Sequence, residues 1–117
     1  MINIFGSSRY DIQKKTLKAF AEDVLRKYRV NPSTGVNLVF VGKRKMREIA
    51  NTYKNEDVAL PVLSFSYLSD KDREPDGVLG EVIICYPQAI LLAAEREKKV
   101  EDTMKQLIEH GLQNIFK

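Results

Sequence analysis

Four consecutive apolar residues, Leu38-Val39-Phe40-Val41, restrict the fold of this chain more than any other segment. A strand with one solvated face alternates apolar and polar side chains, whereas this segment has no polar position. Residues 78–86 form a second strongly apolar stretch with strand character. We therefore expect the strand at residues 36–41 to be central in a sheet and covered on both faces.

The remaining hydrophobic pattern alternates between helical and extended spacing. Apolar residues three and four positions apart predict amphipathic helices, and Pro87 suits the first turn of a further helix. The predicted helices cover residues 12–28, 43–53, a segment from Pro87, and about 101–114; the strands cover 2–5, 36–41, 62–67 and 78–86. The polar residues 69–77 predict an exposed loop. This order predicts a single α+β domain over residues 1–117, with a small mixed sheet of about four strands packed with about four helices.

The composition indicates a soluble globular protein with a mildly basic charge. The chain has 117 residues and a net charge of +3, which permits a nucleic-acid partner without requiring one. Its single cysteine, Cys85, excludes an internal disulfide and fits a reducing compartment. No apolar run approaches the ~20 residues of a membrane span, and the N-terminus lacks the features of a signal peptide. The sequence therefore predicts a cytoplasmic protein without a membrane partner.

His110 is the only histidine, and its surroundings limit the metal chemistry available to the chain. Side chains four residues apart project from one face of a helix, and Asn114 is four residues after His110. An amide oxygen binds transition metals far more weakly than a neutral imidazole. We expect both residues at the border of the core beside Leu107. Taken alone, they describe a metal site without most of its ligands.

Four motifs, in this order, resemble those of the YbeY family of bacterial metal-dependent endoribonucleases. They are Tyr53-Lys54-x-x-Asp57, Val62-Leu63-Ser64-Phe65, Leu79-Gly80-Glu81-Val82-Ile83-Ile84-Cys85 and His110-Gly111-Leu112. The resemblance covers about residues 36–116. It implies a YbeY-like α+β fold and a role in ribosomal RNA maturation and ribosome quality control. The implied partner is ribosomal RNA or the small ribosomal subunit.

The zinc ligands that the resemblance implies are only partly present. The family signature, His-Gly-x-x-His-x-x-Gly-Tyr-Asp-His, holds zinc through three histidines. His110 and Gly111 match its first two positions, Asn114 replaces the second histidine, and the chain ends before the third. Three protein ligands and a water form the usual catalytic zinc site. The resemblance thus implies zinc as the cofactor, with His110 as the single remaining ligand, and the residues predict that zinc binding is absent or weak.

Other family positions also differ. Lys54 stands where the family has an arginine implicated in RNA handling, so the resemblance gives Lys54 the catalytic position. Lysine keeps the charge but lacks the bidentate fork that suits phosphate. Leu60-Pro61 replaces two polar residues at the rim of the family's cleft, and Glu81 replaces the usual aspartate.

A cluster of basic residues lies on the polar face of the second predicted helix: Lys43, Arg44, Lys45 and Arg47. Clustered lysines and arginines are the electrostatic footprint of nucleic-acid binding. The alternative is an ordinary solvated helix face. We retain both interpretations for this cluster.

Three hypotheses for function remain. The first is the family's single-strand endoribonuclease, in which zinc lowers the pKa of a bound water or polarises the phosphoryl oxygen. The second is a non-catalytic RNA- or ribosome-binding module, and the third is a protein–protein adaptor on the same scaffold. The ligand set favours a ribosomal RNA maturation factor whose catalysis is impaired or lost. The oligomeric state is not specified by the sequence.

Overall fold

The computed structural model describes residues 1–6, 9–30, 34–67 and 77–117. The strands are β1 (Ile2–Phe5), β2 (Gly35–Val41), β3 (Val62–Ser66) and β4 (Val78–Cys85); the helices are α1 (Lys14–Arg26), α2 (Lys43–Lys54), α3 (Tyr86–Glu95) and α4 (Val100–Ile115). The α+β class and the predicted order of elements are confirmed. The predicted loop at 69–77 lies outside the described residues except for Gly77.

The four strands form one mixed sheet in the order β1-β2-β4-β3. β1 and β4 each pair with β2 in parallel, and β3 pairs with β4 in antiparallel. β2 is therefore central, as its uninterrupted apolar run predicts. β3 is an edge strand.

Each face of the sheet carries its own hydrophobic core. Side chains of α1, α3 and α4 cover one face, where Val36, Leu38 and Phe40 of β2 are buried. Met46 and Ala50 of α2 cover the opposite face, and the β2 residues packed against that core are Val39 and Val41. Asn37 is the polar residue of β2; it is half-buried, and its amide oxygen accepts a hydrogen bond from the amide nitrogen of Asn3 at 3.2 Å. A polar side chain without such a partner would be costly to bury on either face.

Two glycines lie where α4 packs against the sheet. A Cβ atom placed on Gly111 of α4 would lie 2.5 Å from Cγ1 of Val82, and one on Gly80 of β4 would lie 2.9 Å from Cδ1 of Ile115. The hydroxyl of Ser66 donates a hydrogen bond to the carbonyl oxygen of Ile115 at 2.9 Å. Glycine at these positions therefore sets the distance between α4 and the β3–β4 pair.

Some element boundaries differ from the predicted ones. α1 ends at Arg26 rather than near residue 28, and Arg29 adopts a left-handed backbone conformation with φ of 52°. α2 extends to Lys54, where Asn55 (φ 55°) caps it by donating its backbone N–H to the carbonyl oxygen of Ala50. Asparagine tolerates this left-handed conformation better than most residues. Among the described helices, none is long and apolar enough to cross a membrane.

Candidate functional site

The basic surface consists of Lys43, Arg44, Lys45 and Arg47, all in the first two turns of α2 and all exposed. The helix begins after Gly42, which has an extended backbone. Burial of the apolar stripe through Met46 and Ala50 fixes the rotation of α2 on the sheet. The four basic side chains are therefore all exposed to solvent around the N-terminal end of α2.

The charges of the basic surface are only partly neutralised. Nε of Arg44 lies 3.8 Å from a carboxylate oxygen of Glu48, and Nη2 of Arg47 lies 3.3 Å from Oδ1 of Asp57. Within the four described ranges of the chain, neither Lys43 nor Lys45 forms an ion pair. The two lysines thus supply the uncompensated positive charge of this surface.

Two neighbouring depressions expose the basic surface to a ligand. Lys43, Arg44 and Arg47 line one of about 750 Å³. Lys43 and Arg44 also line a second, of about 570 Å³, together with Lys45 and Arg9. Arg9 lies far from α2 in the sequence, and no local pattern indicated its place here. The tertiary fold therefore adds a fifth cation to a surface whose other members share one helix.

An aromatic groove separates α2 from β3 and β4, on the same face of the sheet. We define it by Tyr53 of α2, Phe65 of β3, Tyr67, and Glu81 of β4; its volume is about 550 Å³, and Lys45 lies at its rim. The rings of Tyr53 and Phe65 meet edge to face with centroids 5.0 Å apart. The hydroxyl of Tyr67 donates a hydrogen bond to Oε1 of Glu81 at 2.5 Å.

The aromatic groove was not identified from the sequence as one unit. Phe65 and Glu81 are paired residues of β3 and β4, so their side chains share a face. Tyr53 comes from α2, and its position over Phe65 depends on how that helix packs. The alternation of Phe65 and Tyr67 in an edge strand was the one signal available in the sequence.

Lys54 is the last residue of α2 and is exposed. Leu60-Pro61, which replaces two polar residues of the family, helps to pack the start of β3. Leu60 contacts the core beneath α2, and the carbonyl oxygen of Pro61 accepts a hydrogen bond from the backbone N–H of Cys85 at 2.9 Å. This pair therefore anchors the start of β3 to the end of β4, instead of presenting polar groups to a cleft.

His110 is exposed on α4, so the expectation that it lies at the border of the core was wrong. The adjacent Gly111 and Leu112 are the residues that α4 buries against the sheet. The amide nitrogen of Asn114 lies 3.2 Å from Nε2 of His110, which is hydrogen-bonding distance. The i, i+4 geometry is as predicted, and an amide occupies the position of a second imidazole.

The residues present do not fit the three-ligand zinc site that the family signature implies. In the described part of the chain, no group of three or more His, Cys, Asp or Glu side chains is arranged to hold a metal ion. α4 and α2 pack on opposite faces of the sheet, and the basic surface lies on the solvent side of α2. Thus His110 and the basic surface form separate sites.

Cys85 is fully buried at the end of β4. Burial raises the pKa of its thiol, and the backbone N–H of Gln88 and the charge of Lys43 offset part of that rise. A neutral, inaccessible thiol is neither a nucleophile nor a metal ligand. Cys85 therefore behaves as a small buried hydrophobic residue.

Comparisons with known proteins relate this geometry to one family. The family profile described as endoribonuclease YbeY matches residues 4–115. A Dehalococcoides mccartyi protein named endoribonuclease YbeY is 29% identical over 117 residues, which cover 90% of this chain and 73% of that protein. A protein of the same name from Alkaliphilus metalliredigens is 34% identical over 89 residues, covering 74% of this chain and 57% of that protein.

A solved structure from Thermotoga maritima, determined in solution, shares the fold. It matches with a TM-score of 0.67 at 23% identity, covering 96% of this chain and 69% of the other. The similarity in structure and the profile match extend over nearly the whole chain, including the four helices and the mixed sheet. This chain therefore belongs to the YbeY family.

Proposed function

We propose that this chain is a cytoplasmic factor in ribosomal RNA maturation that binds single-stranded RNA of the small ribosomal subunit through the basic surface of α2. The family's cleavage chemistry is impaired or lost in this proposal. The observation that carries it is the exposure of four basic side chains at one end of α2, with Lys43 and Lys45 free of ion pairs in the described structure.

Binding follows from simple electrostatics. Lysine ammonium groups near RNA phosphates release condensed counterions, and this release supplies much of the binding free energy. Lys43 and Lys45 present compact, strongly hydrated charges, whereas the planar guanidinium of Arg47 can hold a phosphate bidentately when it exchanges Asp57 for that phosphate. Lys54 lies about 16 Å from Lys43 along the axis of α2, as expected for 11 residues at about 1.5 Å each.

The loss of catalysis rests on the residues of α4. Asn114 occupies the position of the second histidine of the signature, and its amide nitrogen lies within hydrogen-bonding distance of the His110 ring. No described group supplies three zinc ligands. The proposed function is therefore the binding of RNA without its cleavage.

The RNA-binding proposal is tested by charge reversal with a matched control. The double variant Lys43→Glu/Lys45→Glu removes two positive charges from the basic surface and adds two negative ones, a change of about −4 in net charge. The control Lys14→Glu/Lys15→Glu makes the same change in net charge at two exposed lysines of α1. Fluorescence anisotropy with a labelled single-stranded ribosomal RNA fragment, repeated over a range of salt concentrations, gives the dissociation constant and its salt dependence.

We expect the α2 variant to bind far more weakly and to lose about 1.4 from the log–log salt slope, or about 0.7 for each lost phosphate contact to single-stranded RNA. The α1 control should stay close to the wild type. Equal losses in both variants would show that only net charge matters. Undiminished binding by the α2 variant would return the basic surface to an ordinary solvated face and refute the proposal.

Endoribonuclease activity is the second candidate, because the matching family profile carries that description. Its test is elemental mass spectrometry of protein purified without chelator, combined with a cleavage assay on single-stranded RNA. About one zinc per chain together with cleavage would overturn the proposed loss of catalysis. Binding without cleavage would support the assignment to a binding module.

A further inference from the structure

We propose that the aromatic groove is a base-recognition subsite: it takes one unstacked nucleobase of the bound RNA, stacks it on Tyr53, and selects bases with an exocyclic amino group through Glu81. This inference rests on the RNA-binding function proposed above and adds a chemical basis for choosing among RNA sequences. The volume of the aromatic groove, about 550 Å³, lies within the usual range for ligand clefts of about 300–1,000 Å³.

The stacking surface is the ring of Tyr53. This side chain is 67% exposed, although its ring is held edge to face against Phe65. One side of the Tyr53 ring is held by Phe65, and the other side is exposed to water. Covering the exposed apolar surface with a base is favourable. Such a ring loses little conformational freedom when a base stacks on it. Stacking on exposed aromatic rings is a general means of binding single-stranded RNA.

The selective group is the carboxylate of Glu81. The hydroxyl of Tyr67 donates to Oε1 and fixes the orientation of the carboxylate within the groove. An ionised carboxylate has about four acceptor positions, so others remain after that hydrogen bond. A cytosine N4 amino group suits such an acceptor. Uracil presents a carbonyl oxygen at the same position, and two acceptors facing each other would repel.

Lys45 makes the groove continuous with the basic surface. It lies at the rim of the aromatic groove and also lines the depression that contains Lys43 and Arg44. A strand whose phosphates follow the basic surface therefore passes the mouth of the groove. Two carboxylates line the groove, Glu81 and Glu48, and Glu48 lies 3.8 Å from Nε of Arg44. Lys45 can attract an anionic phosphate, and Glu81 can accept from the amino group of a base.

The experiment compares eight-nucleotide oligocytidine and oligouridine RNAs, which are both pyrimidine and single-stranded at neutral pH. Anisotropy titrations are made with the wild type, Tyr53→Ala, Tyr53→Phe and Glu81→Gln. Tyr53→Phe retains the ring and is the matched control for Tyr53→Ala. Glu81→Gln retains an oxygen that accepts from Tyr67 but adds an amide donor, which suits the uracil carbonyl.

We expect the wild type to prefer oligocytidine by about tenfold. Tyr53→Ala should weaken the binding of both RNAs by about tenfold, whereas Tyr53→Phe should leave it unchanged. Glu81→Gln should bring the preference close to one while binding persists. Circular dichroism of each variant verifies the fold.

Different failures have different meanings. If Lys43→Glu/Lys45→Glu abolishes RNA binding but Tyr53→Ala and Glu81→Gln change nothing, the base subsite is refuted and the RNA-binding function stands. If the wild type binds neither RNA, the proposed function fails and the subsite fails with it. A preference for oligouridine would also overturn the role assigned to Glu81.

Discussion

Replacing Gly111 with alanine tests the close approach of α4 to the sheet, and the structure gives opposing contributions to its effect. The added methyl group would lie 2.5 Å from Cγ1 of Val82, 3.0 Å from its Cγ2 and 3.1 Å from Oγ of Ser64. Val82 is completely buried, and its branched side chain has few alternative rotamers. Overpacking of this kind costs about 1–3 kcal/mol. Alanine in a helix interior returns about 0.8–1 kcal/mol relative to glycine.

The difference between the two contributions is about 0–2 kcal/mol. Because the contact involves a rigid neighbour in the core, we expect the upper half of that range, so Gly111→Ala should lower the free energy of unfolding by about 1–2 kcal/mol. A double-mutant cycle with Val82→Ala isolates the contact. Val82→Ala alone should cost about 2–3 kcal/mol through lost burial and a cavity. In that background Gly111→Ala should become stabilising by about 0.5–1 kcal/mol, since both contacts with the Val82 methyl groups are gone, only the 3.1 Å contact with Oγ of Ser64 remains, and the helix preference is unchanged.

Urea unfolding monitored by circular dichroism measures all four proteins. The exposed position Gln106 of α4 provides the control, because the difference between Gln106→Ala and Gln106→Gly gives the helix preference in the same helix without a packing contribution. A neutral or stabilising effect of Gly111→Ala in the wild-type background would refute the argument. Additive effects of the two substitutions would refute it equally.

Two further predictions concern the titratable and ligating side chains. Asn114→His should bind zinc weakly through a two-histidine pair with His110, and its affinity should remain far from nanomolar because a third ligand is missing among the described residues. Isothermal titration with zinc measures the affinity, with Asn114→Gln as the control. Nanomolar affinity would contradict the ligand count. The raised pKa of the Cys85 thiol keeps its proton in the folded state while the unfolded state releases it. The free energy of unfolding should therefore fall as pH rises above about 8.5, relative to Cys85→Ala. Parallel pH profiles of the two proteins would refute that assignment.

Sequence periodicity was sufficient to predict the order of the elements and the central place of β2. A strand that is apolar at every position is not stable at the solvated edge of a sheet, so β2 was expected at the centre. The apolar stripes at helical spacing indicated the helices. The basic surface was also predictable, because its four residues share one helix and helix geometry is local. The four motifs of the YbeY family were sufficient for the family assignment that the profile confirms.

Contacts between distant segments were decided by the tertiary structure. Arg9 joins the basic surface through the packing of a remote segment, and Tyr53 meets Phe65 because α2 crosses the β3–β4 pair. His110 is exposed because Gly111 and Leu112 take the face of α4 that meets the sheet. Helix periodicity specifies which residues share a face, but the rotation and depth of a helix follow from the side chains opposite it. Local spacing therefore determined the elements of this protein, and close packing across the sheet determined which of their residues form a site.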